Sequence, residues 1–262
     1  MNFKLLFPTY RTRERWADEV LSSLGPRPLG RMLNVGAGEG DYDPTLAKFA
    51  SHLESCDVNE DDVAHARAMN AKVPNLSYSV QNGEELAFES ASFDVVTCFE
   101  VIEHVGDAQK LMSELARVLK PGGKLVLSCP SVHFPVTYDP INSALAARGT
   151  HLPVGAYAYG HSWLVDERML ERWAADVELA IEQRHKLSGW LVGAFECYWP
   201  GLLQRALKAN TANVAGSSKK KGLRPSADAP PLVGAVDALI ALDRRVMTSR
   251  SVGLGYVMRK RS

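Results

Sequence analysis

Along residues 31–130, short apolar runs alternate with stretches whose apolar positions recur every three or four residues. Runs of the first kind read as strands and stretches of the second kind as amphipathic helices. The pattern predicts strands at 31–35, 52–56, 76–80, 93–99 and 124–129, with helices at 43–50, 60–71 and 108–119 between them. The run at 93–99 is of the type buried on both faces of a parallel sheet. Ahead of this block, 13–24 places Trp16, Val20, Leu21 and Leu24 at helical spacing and stops at the Gly-Pro break of 25–28. The helix at 108–119 is stopped by Lys120-Pro121-Gly122-Gly123. Such regular strand–helix alternation predicts an α/β fold, a doubly wound and mostly parallel sheet.

After Pro130 the pattern loosens. Residues 131–165 read as an irregular insertion rich in Pro, Gly, Tyr and His. A helix capped by Asp166 is expected at 166–175 and a sixth strand at 177–187. Residues 194–208 look helical, with Phe195, Tyr198, Trp199, Leu202 and Leu203 on one face. The stretch 209–231 has the composition of a mobile polar loop, and Lys219, Lys220 and Lys221 read as its solvated charge run. Helical periodicity returns at 232–247, and 253–260 is the seventh strand. The organisation expected is an N-terminal helix with a ligand-binding core over 1–130, a lid over 131–165, and the remainder of the core over 166–262.

Composition narrows the function classes. The formal net charge of the 262 residues is zero, so no bulk attraction to nucleic acid or to an anionic membrane is expected. Cys56, Cys98, Cys129 and Cys197 lack CxxC spacing and read as reduced thiols of a cytoplasmic protein. The N-terminus is too polar for a signal peptide, and no run approaches the length of a transmembrane helix.

In a doubly wound sheet, ligands bind at the carboxyl ends of the strands. The first strand runs into Leu33-Asn-Val-Gly-Ala-Gly-Glu-Gly, which puts Gly36, Gly38 and Gly40 in a turn ahead of a helix. Glycine allows backbone to approach a ligand closely, and exposed amides at a helix start suit a nucleotide. The second strand ends at Asp57, about twenty residues on, where a carboxylate can accept both hydroxyls of a ribose.

The blocks LNVGAGEGDY, CDVNEDDVAHA, QNGEELAFESASFDVVTCFEVIEHV and LARVLKPGGKLVLSCP, in unbroken order over 31–130, closely resemble class I S-adenosylmethionine-dependent methyltransferases. The resemblance implies a Rossmann-like, seven-stranded fold with an inserted lid, and S-adenosylmethionine as cofactor. By position, it puts Gly36, Ala37 and Gly38 under the methionine part of the cofactor, with backbone near Gly36 and Phe99 holding its ammonium. It puts Asp57 on the ribose, Val58 against the adenine, and Asn82 with Gly83 in the adenine loop. The family usually has an acidic residue where Asn82 stands, although an amide oxygen still accepts a hydrogen bond. Glu39, Glu84 and Glu85 read equally well as solvated charges.

The acceptor side is less defined. EVIEH at 100–104 resembles the segment of ubiquinone-type O-methyltransferases and small-RNA 2′-O-methyltransferases in which two carboxylates and a histidine bind a divalent cation. On a helix, Glu100, Glu103 and His104 would share one face, with His161 as a further ligand. The same letters occur in family members without a metal, and no metal is assigned here. For a hydroxyl acceptor, His104 and His161 are the candidate bases. Cys129-Pro130 reads as a buried pair rather than a nucleophile, because the second element of cysteine-dependent RNA methyltransferases is missing. The segment CFEV replaces the motif of amino-methylating nucleic-acid enzymes, which argues against DNA as partner. In the insertion, His133, Phe134, Tyr138, His151, Tyr157, Tyr159 and Trp163 suggest either a lid over an apolar substrate or a satellite core. The reading is a small-molecule methyltransferase with O-transfer favoured, in a chain that can form a homodimer. The alternatives are a metal-using RNA 2′-O-methyltransferase and a cofactor-binding protein without transfer activity.

Overall fold

The computed structural model describes residues 3–132, 140–150, 164–195, 231–246 and 251–261. A 3-10 turn at Phe3–Leu6 precedes α1 (Pro8–Ser23), which starts five residues earlier than the apolar spacing indicated. Next come β1 (Arg31–Val35), α2 (Asp43–Leu46), β2 (His52–Asp57), α3 (Glu60–Met69), β3 (Leu76–Val80), β4 (Phe93–Phe99), α4 (Ala108–Val118) and β5 (Leu119–Pro130). The chain continues through α5 (Pro140–Ala146), α6 (Glu167–Asp176), β6 (Leu179–Ser188), α7 (Val233–Val246) and β7 (Gly253–Lys260). The sheet order is β3-β2-β1-β4-β5-β7-β6. Strands β1 to β5 pair in parallel. The Arg261 amide donates to the Glu178 carbonyl, and the Val252 amide to that of Ser188, so pairing runs in opposite senses and β7 is antiparallel to β6.

Helix starts follow from side-chain caps. Asn59 accepts from the amides of Asp61 and Asp62 to open α3, Asp107 from Lys110 to open α4, and Asp166 from Arg168 to open α6. Helix α4 buries Leu111, Met112, Leu115 and Val118 on one stripe.

Three expectations need correction. Helix α2 is a single turn rather than the helix expected at 43–50. The stretch after Pro130 is not wholly irregular, since α5 lies in it. Lys120-Pro-Gly-Gly also does not separate helix from strand. Strand β5 already pairs Leu119 with Phe93, and the next pair is Lys124 with Val95, so the four residues form a bulge inside the strand. Asp94 holds this bulge, accepting from Lys120 Nζ at 2.8 and 2.9 Å and from the Arg31 amide at 2.8 Å.

Contacts divide the chain into two compact units. One comprises Glu14–Cys129, Val165–His185 and Gly255–Ser262 and contains strands β1 to β4 with α2, α3, α4 and α6. The other comprises Met1–Arg13, Pro130–Leu164 and Lys186–Leu254 and contains α5 and α7. In this second unit, Arg11 pairs with Asp237 at 3.1 Å. Its buried Asp243 accepts the amides of Gly189, Leu191 and Val192 at 2.6, 3.0 and 3.2 Å, capping a helical segment at 190–195. The aromatic insertion residues named above, Lys219 to Lys221 and Cys197 lie outside the described residues. No helix among the described residues is long and apolar enough to cross a membrane.

Candidate active site

The glycine turn follows β1. Gly36, Gly38 and Gly40 have φ of +77°, +53° and +77°, a backbone region that side chains disfavour. The three positions differ in what surrounds them. A Cβ on Gly36 would strike the Val101 side chain. One on Gly40 would lie 2.7 Å from the Tyr78 hydroxyl and 2.8 Å from Asn70 Nδ2. One on Gly38 would meet nothing within 4 Å. Gly36 and Gly40 are thus required by the protein's own packing, and Gly38 alone of the three faces open space.

Side chains and carbonyls of β2 pin the turn. The amides of Gly36 and Ala37 both donate to the Cys56 carbonyl at 2.9 Å. Asp57 Oδ2 accepts from the Gly38 amide at 2.8 Å, and Oδ1 from the Asn59 amide at 2.9 Å. A carboxylate offers about four acceptor sites, so two remain available. Beside it Val58 is 71% exposed. Past β3, the Gln81 amide donates to the Asp57 carbonyl, and Asn82 Oδ1 accepts from the Glu84 amide at 3.0 Å. Gly83 lies where a Cβ would press on Leu111 and Val35.

Beneath the turn runs a row of polar residues. The strand register aligns Thr97 with Asn34, Asn34 with Ser55, and Ser55 with Tyr78. Residues level with one another across a parallel sheet share a face. Thr97 braces the Asn34 side chain, and the other three converge on Asp43, the first residue of α2, which is fully buried. Its Oδ1 accepts from Asn34 Nδ2 and Ser55 Oγ, each at 2.8 Å, and its Oδ2 from the Tyr78 hydroxyl at 2.7 Å. Thr97 Oγ1 donates to Asn34 Oδ1 at 2.9 Å. Asn70 Nδ2 donates both to the Tyr78 hydroxyl at 2.7 Å and to the Gly40 carbonyl at 2.9 Å. Burial pushes the Asp43 carboxyl above its usual range, opposed by the bonds it accepts. Burial, and then the nearby Asp43 charge, pushes the Tyr78 hydroxyl upward too.

The other side of the site begins at Phe99. Its ring meets Trp16 edge-on at 6.0 Å and Tyr42 at 5.5 Å. Glu100 has a φ of +55°, uncommon for a residue with a side chain. Two bonds to Ser128 hold it there. The Glu100 amide donates to the Ser128 carbonyl at 3.0 Å, and Ser128 Oγ donates to Glu100 Oε1 at 2.8 Å.

Residues 102–104 form a turn, not the helix on which Glu100, Glu103 and His104 would share a face. Glu103 is fully buried, whereas the His104 side chain is 44% exposed, with Nε2 3.8 Å from Glu103 Oε1. Among the described residues, no three His, Cys, Asp or Glu are gathered as a metal site. His161 lies outside the described residues. Burial pushes the thiols of Cys56, Cys98 and Cys129 up, which suits inert packing.

The structure thus brings Gly36, Ala37, Gly38, Asp57 and Val58 together, with Asn82 and Gly83 following β3 beside them. Glu84 is no free surface charge, because its Oε1 accepts the Asp107 amide at 2.5 Å. The polar row was missed by the sequence reading. Part of its signal is present: Asn34, Ser55 and Thr97 each place a polar residue in the carboxyl half of a strand.

Residues 33–127 match a family described as a methyltransferase domain. The chain is 34% identical over 160 residues to the ubiquinone biosynthesis O-methyltransferase of Xanthomonas oryzae pv. oryzae, a match covering 58% of this chain and 63% of that protein. The chain therefore spans less than two thirds of the length of that relative. Among solved structures it resembles phosphoethanolamine N-methyltransferase 2 of Haemonchus contortus in complex with S-adenosyl-L-methionine, with a TM-score of 0.58, 18% identity, and coverage of 94% of this chain and 52% of that one. It also resembles the cyclase SpnF, with a TM-score of 0.59, 15% identity, and coverage of 95% and 81%. The fold is that of class I S-adenosylmethionine-dependent methyltransferases, with a methyltransferase domain at 33–127.

Proposed function

We propose that this chain is an S-adenosylmethionine-dependent methyltransferase acting on a small molecule, with transfer to oxygen favoured. The observation that carries the reading is the open Gly38 beside Asp57, a carboxylate that pins the turn and keeps acceptor capacity. A ribose with two hydroxyls fits that capacity, and the exposed Val58 offers an apolar surface for a purine ring. Asn82 and Gly83 bound the same region from β3, and the Asn82 amide keeps its nitrogen donors for a ring acceptor. Gly36, Ala37 and the backbone at Phe99 would flank the methionine end.

Bound S-adenosylmethionine supplies an electrophilic methyl group, so the protein need chiefly hold the acceptor close and in line, which can lower a barrier by about 7–11 kcal/mol. The turn at 100–104 faces that task. His104 is the candidate base among the described residues: it is accessible, and the Glu103 carboxylate beside it can steady a protonated ring. His161 is a second candidate. The ubiquinone-type relative supports a small hydroxylated acceptor. Titration calorimetry with S-adenosylhomocysteine tests the reading. Wild-type protein is expected to bind and Asp57→Ala to bind at least tenfold more weakly; no binding by the wild type overturns it.

A further inference from the structure

The polar row has a job that packing alone does not require. Four strands each place a hydrogen-bonding side chain at one level; three donate to a carboxylate that burial disfavours, and the fourth, Thr97, braces Asn34. The bonds diverge from Asn70, toward the glycine turn on one side and toward Asp43 on the other. Asn70 has two amide hydrogens, and both are committed, one to Gly40 and one to Tyr78. The Tyr78 oxygen accepts from Asn70, so its own hydrogen goes to Asp43. Asp43 in turn is fixed by Asn34 and Ser55. The end of this chain is the carbonyl of Gly40, the last residue of the turn that opens at Gly38.

We propose that Tyr78 is a positioning residue for the cofactor, acting through Asn70 to hold the Gly38–Gly40 backbone in its binding shape before the cofactor arrives. The inference rests on the reading of the turn as the S-adenosylmethionine site. Gly40 supports it independently, because a Cβ there would collide with the Tyr78 hydroxyl and with Asn70 at once. The Ala66 Cβ crowds the same position at 2.8 Å, so Gly40 answers to packing around this contact rather than to a ligand. Without the hydroxyl, Asn70 keeps its hydrogen-bond acceptor at Gly40 but loses the second anchor that orients its amide. The turn then samples shapes in which the Gly38 amide leaves Asp57. A ligand must select the competent fraction, and its apparent affinity falls by that fraction.

The test is Tyr78→Phe, which removes one oxygen and keeps the ring. S-adenosylhomocysteine binding by calorimetry is compared with amide hydrogen exchange of residues 36–42 and with the thermal midpoint. The expected result is affinity lowered five- to twentyfold, and exchange raised in 36–42 of the free protein but restored when ligand saturates. Asn70→Ala should weaken binding similarly, and the double variant should be no worse than the single ones. A lower midpoint with unchanged affinity and unchanged local exchange makes Tyr78 merely structural and overturns the proposal. Additive losses in the double variant overturn the chain from Tyr78 through Asn70. A wild type that does not bind S-adenosylhomocysteine overturns the functional reading instead, while the exchange comparison still reports on the turn.

Discussion

The two sides of the candidate site are held in different ways. On the glycine side, each bend has its own anchor from another element: Val101 over Gly36, Asp57 on the Gly38 amide, Asn70 on the Gly40 carbonyl. On the side of residues 100–104, the backbone at Glu100 sits in a disfavoured region, clamped by a residue from another strand, Ser128. A buried carboxylate there adjoins a half-exposed imidazole. The first side is fixed in one backbone shape by contacts from three other elements. The second keeps ionisable groups near solvent on a backbone that leaves the favoured region at Glu100.

The largest expected effect tests the second side. His104→Ala should lower turnover by about 10²–10⁴-fold if it carries the proton, measured as S-adenosylhomocysteine released with a panel of phenolic acceptors. An unchanged rate would move catalysis off the 100–104 turn. Next comes the first side. Asp57→Ala should weaken S-adenosylhomocysteine at least tenfold, since lost bonds to a charged group are worth about 1.5–3 kcal/mol each.

A sharper comparison lies within the glycine turn, read by denaturant unfolding. Gly38→Ala should cost only the backbone penalty, about 1–2 kcal/mol. Gly36→Ala adds overpacking against Val101 and should cost about 2–5 kcal/mol in all. Equal losses would mean that the two glycines do not differ as described.

The smallest effect concerns the frame beneath both sides. Glu114 accepts from Arg117 and from the Leu86 amide, and Arg117 also donates to the Leu86 and Phe88 carbonyls, tying 86–88 to α4. The Arg117 bond, ahead of the other causes, holds the Glu114 carboxyl below its usual range. A lowered folded-state pKa contributes stability above the ordinary carboxylate value and loses it as pH falls through the lowered one. Glu114→Gln should thus be less stable than wild type near neutrality, with the gap closing in acid. A gap that stays constant as pH falls through the carboxylate range would assign the effect to packing instead.

The core of the fold was legible because strands β1, β3, β4 and β7 carry their periodicity without competing signals, and their bounds are as the pattern predicts. Asp166 announced its helix for the same reason, since a cap is a local feature. What was missed is non-local. The Lys120–Gly123 bulge depends on Asp94 of the neighbouring strand, and a Pro-Gly-Gly sequence alone reads as a turn. The EVIEH spacing suggested a helix, but the clamp between Glu100 and Ser128 redirects the chain. Asp43 opens the helix expected at 43–50, and only the strand register reveals three polar side chains converging on it beneath the glycine turn.

Asp243 has a consequence for how much of this chain is free to vary. By joining α7 to the amides that open the helical segment at 190–195, it works as a non-covalent staple across a long excursion of the chain. Closing a longer excursion costs little additional entropy, because the cost grows only with the logarithm of length. The staple fixes where the excursion leaves and where it returns. One buried carboxylate thus ties residues 189–192 to residue 243 whatever the length of chain between them.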